Sequence, residues 1–190
     1  MLIIIISAFL LIFITVAVIV IYNELVTLRS RTDNQSAQID VQLKRRAELI
    51  PNLIETVKGY AKFEKTTLTD VAKLRSNMIN PSNTKEAIAA DTKLSRICTH
   101  IFATAENYPE LKANTNFLKL QEEFSETENK VVMARQFYND TATKYNIAIH
   151  IFPKSIVAGI FGFKEKELLE ASDSEREAVM ISNSTFDNLF

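Results

Sequence analysis

The hydrophobic pattern divides the chain at about residue 21. From Leu2 to Ile21 the run is apolar without a break, and sixteen of its twenty residues are Leu, Ile, Val or Phe. As a helix rising 1.5 Å per residue, this run spans about 30 Å, the thickness of the hydrocarbon core of a bilayer. Ser7 and Thr15 can bond back to the helix backbone, so they cost little there. A cleaved signal peptide fits less well. No Lys or Arg precedes the run, the run is long, and no small-x-small site comes after it. The pattern predicts an uncleaved membrane anchor. The span has no glycine, and no small-xxx-small spacing gives reason to expect pairing through the anchor itself.

Beyond the anchor the spacing changes to an alternation of fours and threes. Leu43, Ala47, Ile50, Ile54, Val57, Ala61, Leu68, Val71 and Met78 fit it, with Glu64 and Arg75 as interruptions. This is the seam of a helix packed on other helices, and it predicts one helix over 34–78. Pro51 lies inside it and deprives the Ala47 carbonyl of its helical donor. The seam continues in phase, so a kink is expected rather than an end; a new helix starting at Pro51 is the alternative. Asn80-Pro81-Ser82-Asn83 is a turn, with Asn83 or Thr84 as cap of a second helix over 85–106. Ala87, Ala90, Leu94, Ile97, Ile101 and Ala105 form its seam. Asn107-Tyr108-Pro109-Glu110 is the next turn, with Pro109 in the first turn of the succeeding segment. A third helix is predicted over 116–152. Phe117, Phe124, Val131, Tyr138, Tyr145 and Phe152 recur every seven residues, beside the smaller row Leu120, Thr127, Ala134, Thr141 and Ala148. Large knobs against small holes pack closely.

The fold class read from this pattern is all-α: an N-terminal transmembrane helix, then an elongated antiparallel bundle of three long helices, plus a short C-terminal helical segment. The anchor helix is expected to continue into the first bundle helix, with residues 33–36 as the place for a bend. The domains are an anchor at 1–22, a bundle at 23–163, and a polar tail at 164–190, read as a fraying helix and then flexible chain. Composition agrees. Three Gly and four Pro in 190 residues leave too few turn formers for a sheet-rich fold. The formal net charge of −1 offers no general footprint for nucleic acid. Arg29 and Arg31 lie just after the span and no side-chain charge precedes it, which places the soluble part in the cytoplasm under the positive-inside rule.

Chemistry is sparse. The single Cys98 excludes an internal disulfide or a Cys-based zinc site, and His100 and His150 have no carboxylate at helical spacing. No phosphate-binding glycine loop and no nucleophile motif occurs. No catalytic, metal or cofactor residues are therefore assigned. Two stretches remain as surfaces. Lys44-Arg45-Arg46 fans over about 200° of helix, so not all three can face solvent. Arg46 flanks the seam, and its expected partner is a carboxylate among Glu122, Glu123, Glu126 and Glu128. A contact between subunits is the second reading and a lipid headgroup the third, because an upright helix puts the cluster about 35 Å from the membrane. The second stretch, Ser155 to Phe163, is apolar and too short to span. It either caps the core or exposes Ile156, Val157, Ile160, Phe161 and Phe163 to another copy or to a bilayer surface.

Several motifs resemble the LemA family of bacterial membrane-anchored proteins. They are Tyr22-Asn23-x-Leu25-Val26, Gln38 to Leu53 running on to Ala61, Glu106-Asn107-Tyr108-Pro109-Glu110-Leu111-Lys112-Ala113-Asn114, Glu122-Glu123 with Thr127-Glu128-Asn129 and Ala134-Arg135-x-x-Tyr138-Asn139, and Tyr145-Asn146 with Phe152-Pro153 and Phe161-Gly162-Phe163. One departure is Asn34-Gln35-Ser36-Ala37, where the family usually has an aromatic or apolar residue. The resemblance implies a helical bundle on one N-terminal span in the bacterial inner membrane, no established activity, and a related branch that helps build magnetosome membranes.

The function expected from these readings is a non-enzymatic scaffold that self-associates and organises or shapes the membrane. Its partners are the bilayer through 2–21, further copies of itself, and other membrane proteins. An adaptor that binds another envelope protein under stress is the alternative, and an enzyme with a site formed between subunits is a third class.

Overall fold

The computed structural model describes residues 1–58 and 65–169. Six helices occur among them, and no strand: α1 Leu2–Lys58, α2 Lys65–Ile79, α3 Thr84–Ala105, α4 Pro109–Lys112, α5 Thr115–His150 and α6 Lys154–Phe161. The all-α class and the long apolar N-terminal helix are as the sequence pattern reads. The apolar run Leu2–Ile21 continues into α1 without interruption. No glycine occurs before residue 59, and Pro51 is the only strong helix breaker in α1. Its hydroxyls return to the backbone one turn back: Ser7 to Ile4 O, Thr15 to Leu11 O and Thr32 to Leu28 O.

Pro51 sits inside α1 and does not end it. Proline removes the donor for the carbonyl four residues earlier, that of Ala47. The structure supplies a substitute: Arg75 Nε donates to Ala47 O at 3.1 Å. This contact also corrects the reading of 34–78 as one helix. Residues 47 and 75 would stand about 42 Å apart along a continuous helix, so α2 packs back beside α1. α1 ends at Lys58 and α2 begins at Lys65. Ala61 and the side chain of Leu68, both placed on the seam, lie outside the described residues.

Local signals set the other ends. Asn83 caps α3, its side chain accepting from Glu86 N at 2.8 Å, and Glu86 Oε2 in turn accepts from Ser82 N at 3.0 Å. Pro109 opens α4 at a position that needs no N–H. Asn114 Oδ1 accepts from the amides of Asn116 and Phe117 at the start of α5. Gly162 ends α6 at φ 69°, and Phe163 N reaches back to Ala158 O at 3.0 Å. That left-handed cap is costly for any residue with a Cβ.

The chain forms two compact units. One combines Met1–Ile39 with Val132–Leu168, and the other is built on Asp40–Val131. In the second, Leu43, Ala47, Ile50, Leu53 and Val57 of α1 are buried, with Val71 and Met78 of α2. Ala87, Ala90, Leu94, Cys98, Ile101 and Ala105 of α3 and Phe117, Phe124 and Val131 of α5 complete that core. Leu53 and Cys98 are buried where the pattern placed Ile54 and Ile97, each one residue away. In the first unit, Leu25, Tyr145, Ala148, Ile149, Val157 and Ala158 form the core, with Val18, Ile21, Leu28 and Phe163 packed on it. Phe152, placed in the aromatic row, is instead 80% exposed. The helix ends at His150, so the seven-residue spacing no longer orients that side chain.

Residues 164–169 carry no regular secondary structure and are not a fraying helix. They form a strap on α5. Tyr145 Oη donates to Lys164 O and Tyr138 Oη to Glu167 O, both at 2.9 Å. Asn146 makes two bonds to Lys166, donating to its carbonyl and accepting from its amide, each 2.8 Å. The remainder of the tail, 170–190, lies outside the described residues.

Candidate interaction surfaces

Each surface residue read from the sequence has a definite place. Arg46 is 1% exposed and faces the interior of the second unit. Its Nη1 donates to Asp91 Oδ1 at 2.7 Å, and its Nη2 lies 3.4 Å from Glu128 Oε1. Its guanidinium also stands 4.2 Å from the Phe124 ring centroid, a cation–π contact. The Arg46 side chain therefore serves the core, and only Lys44 and Arg45 of the basic cluster face outward. The expected carboxylate on the third long helix is Glu128. The stronger partner, Asp91 on α3, escaped the pattern because its position in the α3 seam is one residue off the four-three alternation.

Cys98 is buried in the same unit. Burial pushes its thiol up to about 12, opposed in part by the Arg46 charge and assisted by Asp91 and Glu128. It stays protonated and unreactive at neutral pH. Asp40 has its carboxyl raised by desolvation, while the Thr84 hydroxyl bond at 3.3 Å pulls the other way. Glu126 is lowered by its bond with Lys130 on the next turn. A groove of about 470 Å³ in this unit is lined by Asn52, Glu55, Thr56, Asn116, Lys119 and Glu123. Among the described residues, no group of three His, Cys, Asp or Glu side chains is placed to hold a metal.

The first unit carries the apolar surfaces. On α6, Val157 and Ala158 are buried, and Phe163 packs on the same core. Ile156, Ile160 and Phe161 point outward, Ile160 at 74% exposure. The short helix is thus a cap with one face and an apolar surface with the other. It is pinned to α1 by Lys154 Nζ on Glu24 Oε1 at 2.5 Å, and by Phe161 and Phe163 against the Tyr22 ring at 4.7 and 5.7 Å. Lys166 pairs with Asp33 at 2.6 Å and His150 Nε2 lies 3.0 Å from Glu165, both through the strap. The partner of His150 was not legible at helical spacing because it comes from the strap. Tyr138 and Tyr145 have their phenols raised by burial, with the Asp33 charge adding to it.

One surface was missed in the sequence. Met133, Phe137 and Ile147 of α5, with Ile151 just past its end, are all exposed. They share one helical stripe, with Asp140 and Lys144 between the two apolar pairs. The four-ten-four spacing was available, but the stronger aromatic row on the opposite face drew the reading.

An apolar N-terminal helix long enough to cross a bilayer, running on into packed helices, defines the class: an all-α protein with a candidate membrane span at its N-terminal end. The chain belongs to the LemA family, whose model matches residues 35–182. It is similar to Protein LemA of Metamycoplasma hominis, at 28% identity over 81% of this chain and 71% of that one. It is also similar to Magnetosome protein MamQ 2 of Paramagnetospirillum magneticum, at 22% identity over 78% of this chain and 64% of that one. Magnetosome protein MamQ of Magnetospirillum gryphiswaldense matches at 20% identity over 77% of this chain and 63% of its own length. The chain thus spans somewhat under two thirds of the magnetosome relatives.

Proposed function

We propose that this protein is a non-enzymatic, single-pass scaffold of the bacterial inner membrane, its helical part in the cytoplasm, whose copies associate side by side and organise the membrane. The observation that carries the reading is the exposed α5 stripe of Met133, Phe137, Ile147 and Ile151 on a chain that opens with a candidate span. Apolar side chains gathered on one exposed face mark an interaction surface. Asp140 and Lys144 lie in the middle of the stripe with opposite charges one turn apart, so the same face of a second copy can complement it. Anchoring confines copies to a plane and raises their effective concentration, which makes weak lateral contacts productive. Lys44 and Arg45 add a basic rim in the other unit. That two similar proteins are named for the magnetosome, a membrane compartment, supports an output at the membrane.

The test is disulfide cross-linking of full-length Phe137→Cys protein in vesicles, beside the assembly state of Phe137→Asp. Phe137 is 58% exposed, so neither change disturbs the core. Cross-linked dimers, and loss of assembly in the Asp variant with an unchanged melting curve, are expected. Monomers at every protein density overturn the reading. Saturation of the stripe by one different envelope protein replaces it with the adaptor reading.

A further inference from the structure

The outward face of α6 is a separate surface, and its position identifies what covers it. The chain approaches the end of the apolar run on α5, where Tyr145, Ala148 and Ile149 pack with Leu25 and with Val18 and Ile21. It departs on the strap, whose Lys166 reaches Asp33. α6 is the turn between those two limbs. Its two ends are fastened to Glu24 and Tyr22, two residues apart on α1. That is about 3 Å of helix rise, against about 12 Å for the eight residues of α6. The short helix therefore lies more across α1 than along it. With α1 crossing the bilayer, α6 lies close to the membrane plane, level with the last turn of the span.

Its side chains sort as such a position requires. Val157 and Ala158 face the protein core. Ile156 and Ile160, one turn apart on α6, are exposed on the other side with Phe161, and Phe152 is exposed just before the helix. Most of the aliphatic side chains of α1 up to Val20 are exposed as well. Tyr22, Phe161 and Phe163 form an aromatic cluster at the boundary, where rings suit the headgroup region. Lys154 and Glu24 mark the aqueous side. We infer that α6 is an interfacial membrane helix: Phe152, Ile156, Ile160 and Phe161 are buried in the lipid headgroup–acyl boundary of the leaflet from which α1 emerges. The protein then touches the bilayer twice, by a span and by a wedge beside it, and only the wedge enlarges one leaflet alone. The inference needs α1 to span the bilayer and is independent of self-association through α5.

The experiment places an environment-sensitive fluorophore at Ile160→Cys in the full chain, reconstituted in vesicles of phosphatidylcholine and phosphatidylglycerol. Cys98 is buried and stays unlabelled. Glu122→Cys serves as an aqueous control and Phe13→Cys as a control within the span. Nitroxide lipids with a shallow label are expected to quench position 160 strongly and position 122 hardly at all. Iodide is expected to show the reverse, several-fold weaker at 160 than at 122. Equal iodide quenching at 160 and 122 overturns the inference. So does protection of 160 from both quenchers that disappears on dilution with lipid, since another copy then covers the face. Iodide access at position 13 removes the span itself and the inference with it.

Discussion

Removing Asp91 exposes how the second unit is held. Asp91→Ala leaves the Arg46 guanidinium buried with Glu128 as its remaining carboxylate, at 3.4 Å and half exposed. Breaking a buried ion pair from one side costs about 3–5 kcal/mol, because the stranded charge keeps its desolvation penalty. The attraction to Glu128, screened by water, returns about 1 kcal/mol. The expected loss is about 3 kcal/mol, or about 6–12 °C in melting temperature for a chain of this size. Glu128→Ala removes a half-exposed partner and is expected to cost about 1 kcal/mol or less. The double variant Arg46→Met with Asp91→Leu removes both charges together and is expected to recover most of the loss, since an apolar pair of similar volume satisfies the site. The assay is urea unfolding of the full chain in detergent, monitored by far-UV circular dichroism and by alkylation of Cys98 in the same unit. An Asp91→Ala cost no larger than that of Glu128→Ala refutes the reasoning, as does a double variant less stable than either single one.

Three further perturbations act on single contacts. Arg75→Ala is expected to cost about 1–2 kcal/mol by leaving the Ala47 carbonyl without a donor, and much less in a Pro51→Ala background, where the helix supplies its own N–H; a double-mutant cycle on melting temperature measures the coupling. Asn146→Ala removes both bonds to Lys166, so hydrogen exchange at the Lys166 amide and tryptic cleavage of the strap are expected to accelerate while α5 stays protected. The Cys98 thiol, held near 12 when folded against an ordinary value of 9.0, stays protonated in the native state while the unfolded state ionises above pH 9. The unfolded state then binds fewer protons, so this group's contribution to stability falls as pH rises from about 9 toward 12. Below that range native Cys98 is expected to resist maleimide, with modification only at the rate of unfolding.

Much of the fold was legible because helices advertise their buried faces. The apolar run, the turns at 80–83 and 107–110, and the row Phe117, Phe124, Val131, Tyr138 and Tyr145 need only local periodicity. The return of α2 onto α1 was not legible, since the seam residues of both helices keep the same phase. Arg75 was read as an interruption for the same reason. Its role depends on a carbonyl freed by Pro51 on another helix, which no spacing encodes. The Arg46 site was half legible: a buried arginine calls for a carboxylate, but the choice of Asp91 over the glutamates of α5 is tertiary. The strap was opaque, because its bonds to α5 from Lys164, Lys166 and Glu167 use backbone groups, which carry no side-chain pattern, and the partners of its Glu165 and Lys166 side chains are distant in sequence. α6 read as two alternatives, a cap or an exposed surface, and its two faces divide those roles.

Self-association in the membrane is the property from which the proposed scaffold role follows. Electron cryomicroscopy of the full-length protein reconstituted in bilayers tests it most directly. Ordered assemblies with α5 stripes in mutual contact and the spans embedded side by side are expected. Isolated single copies in the bilayer, at every protein-to-lipid ratio, contradict it.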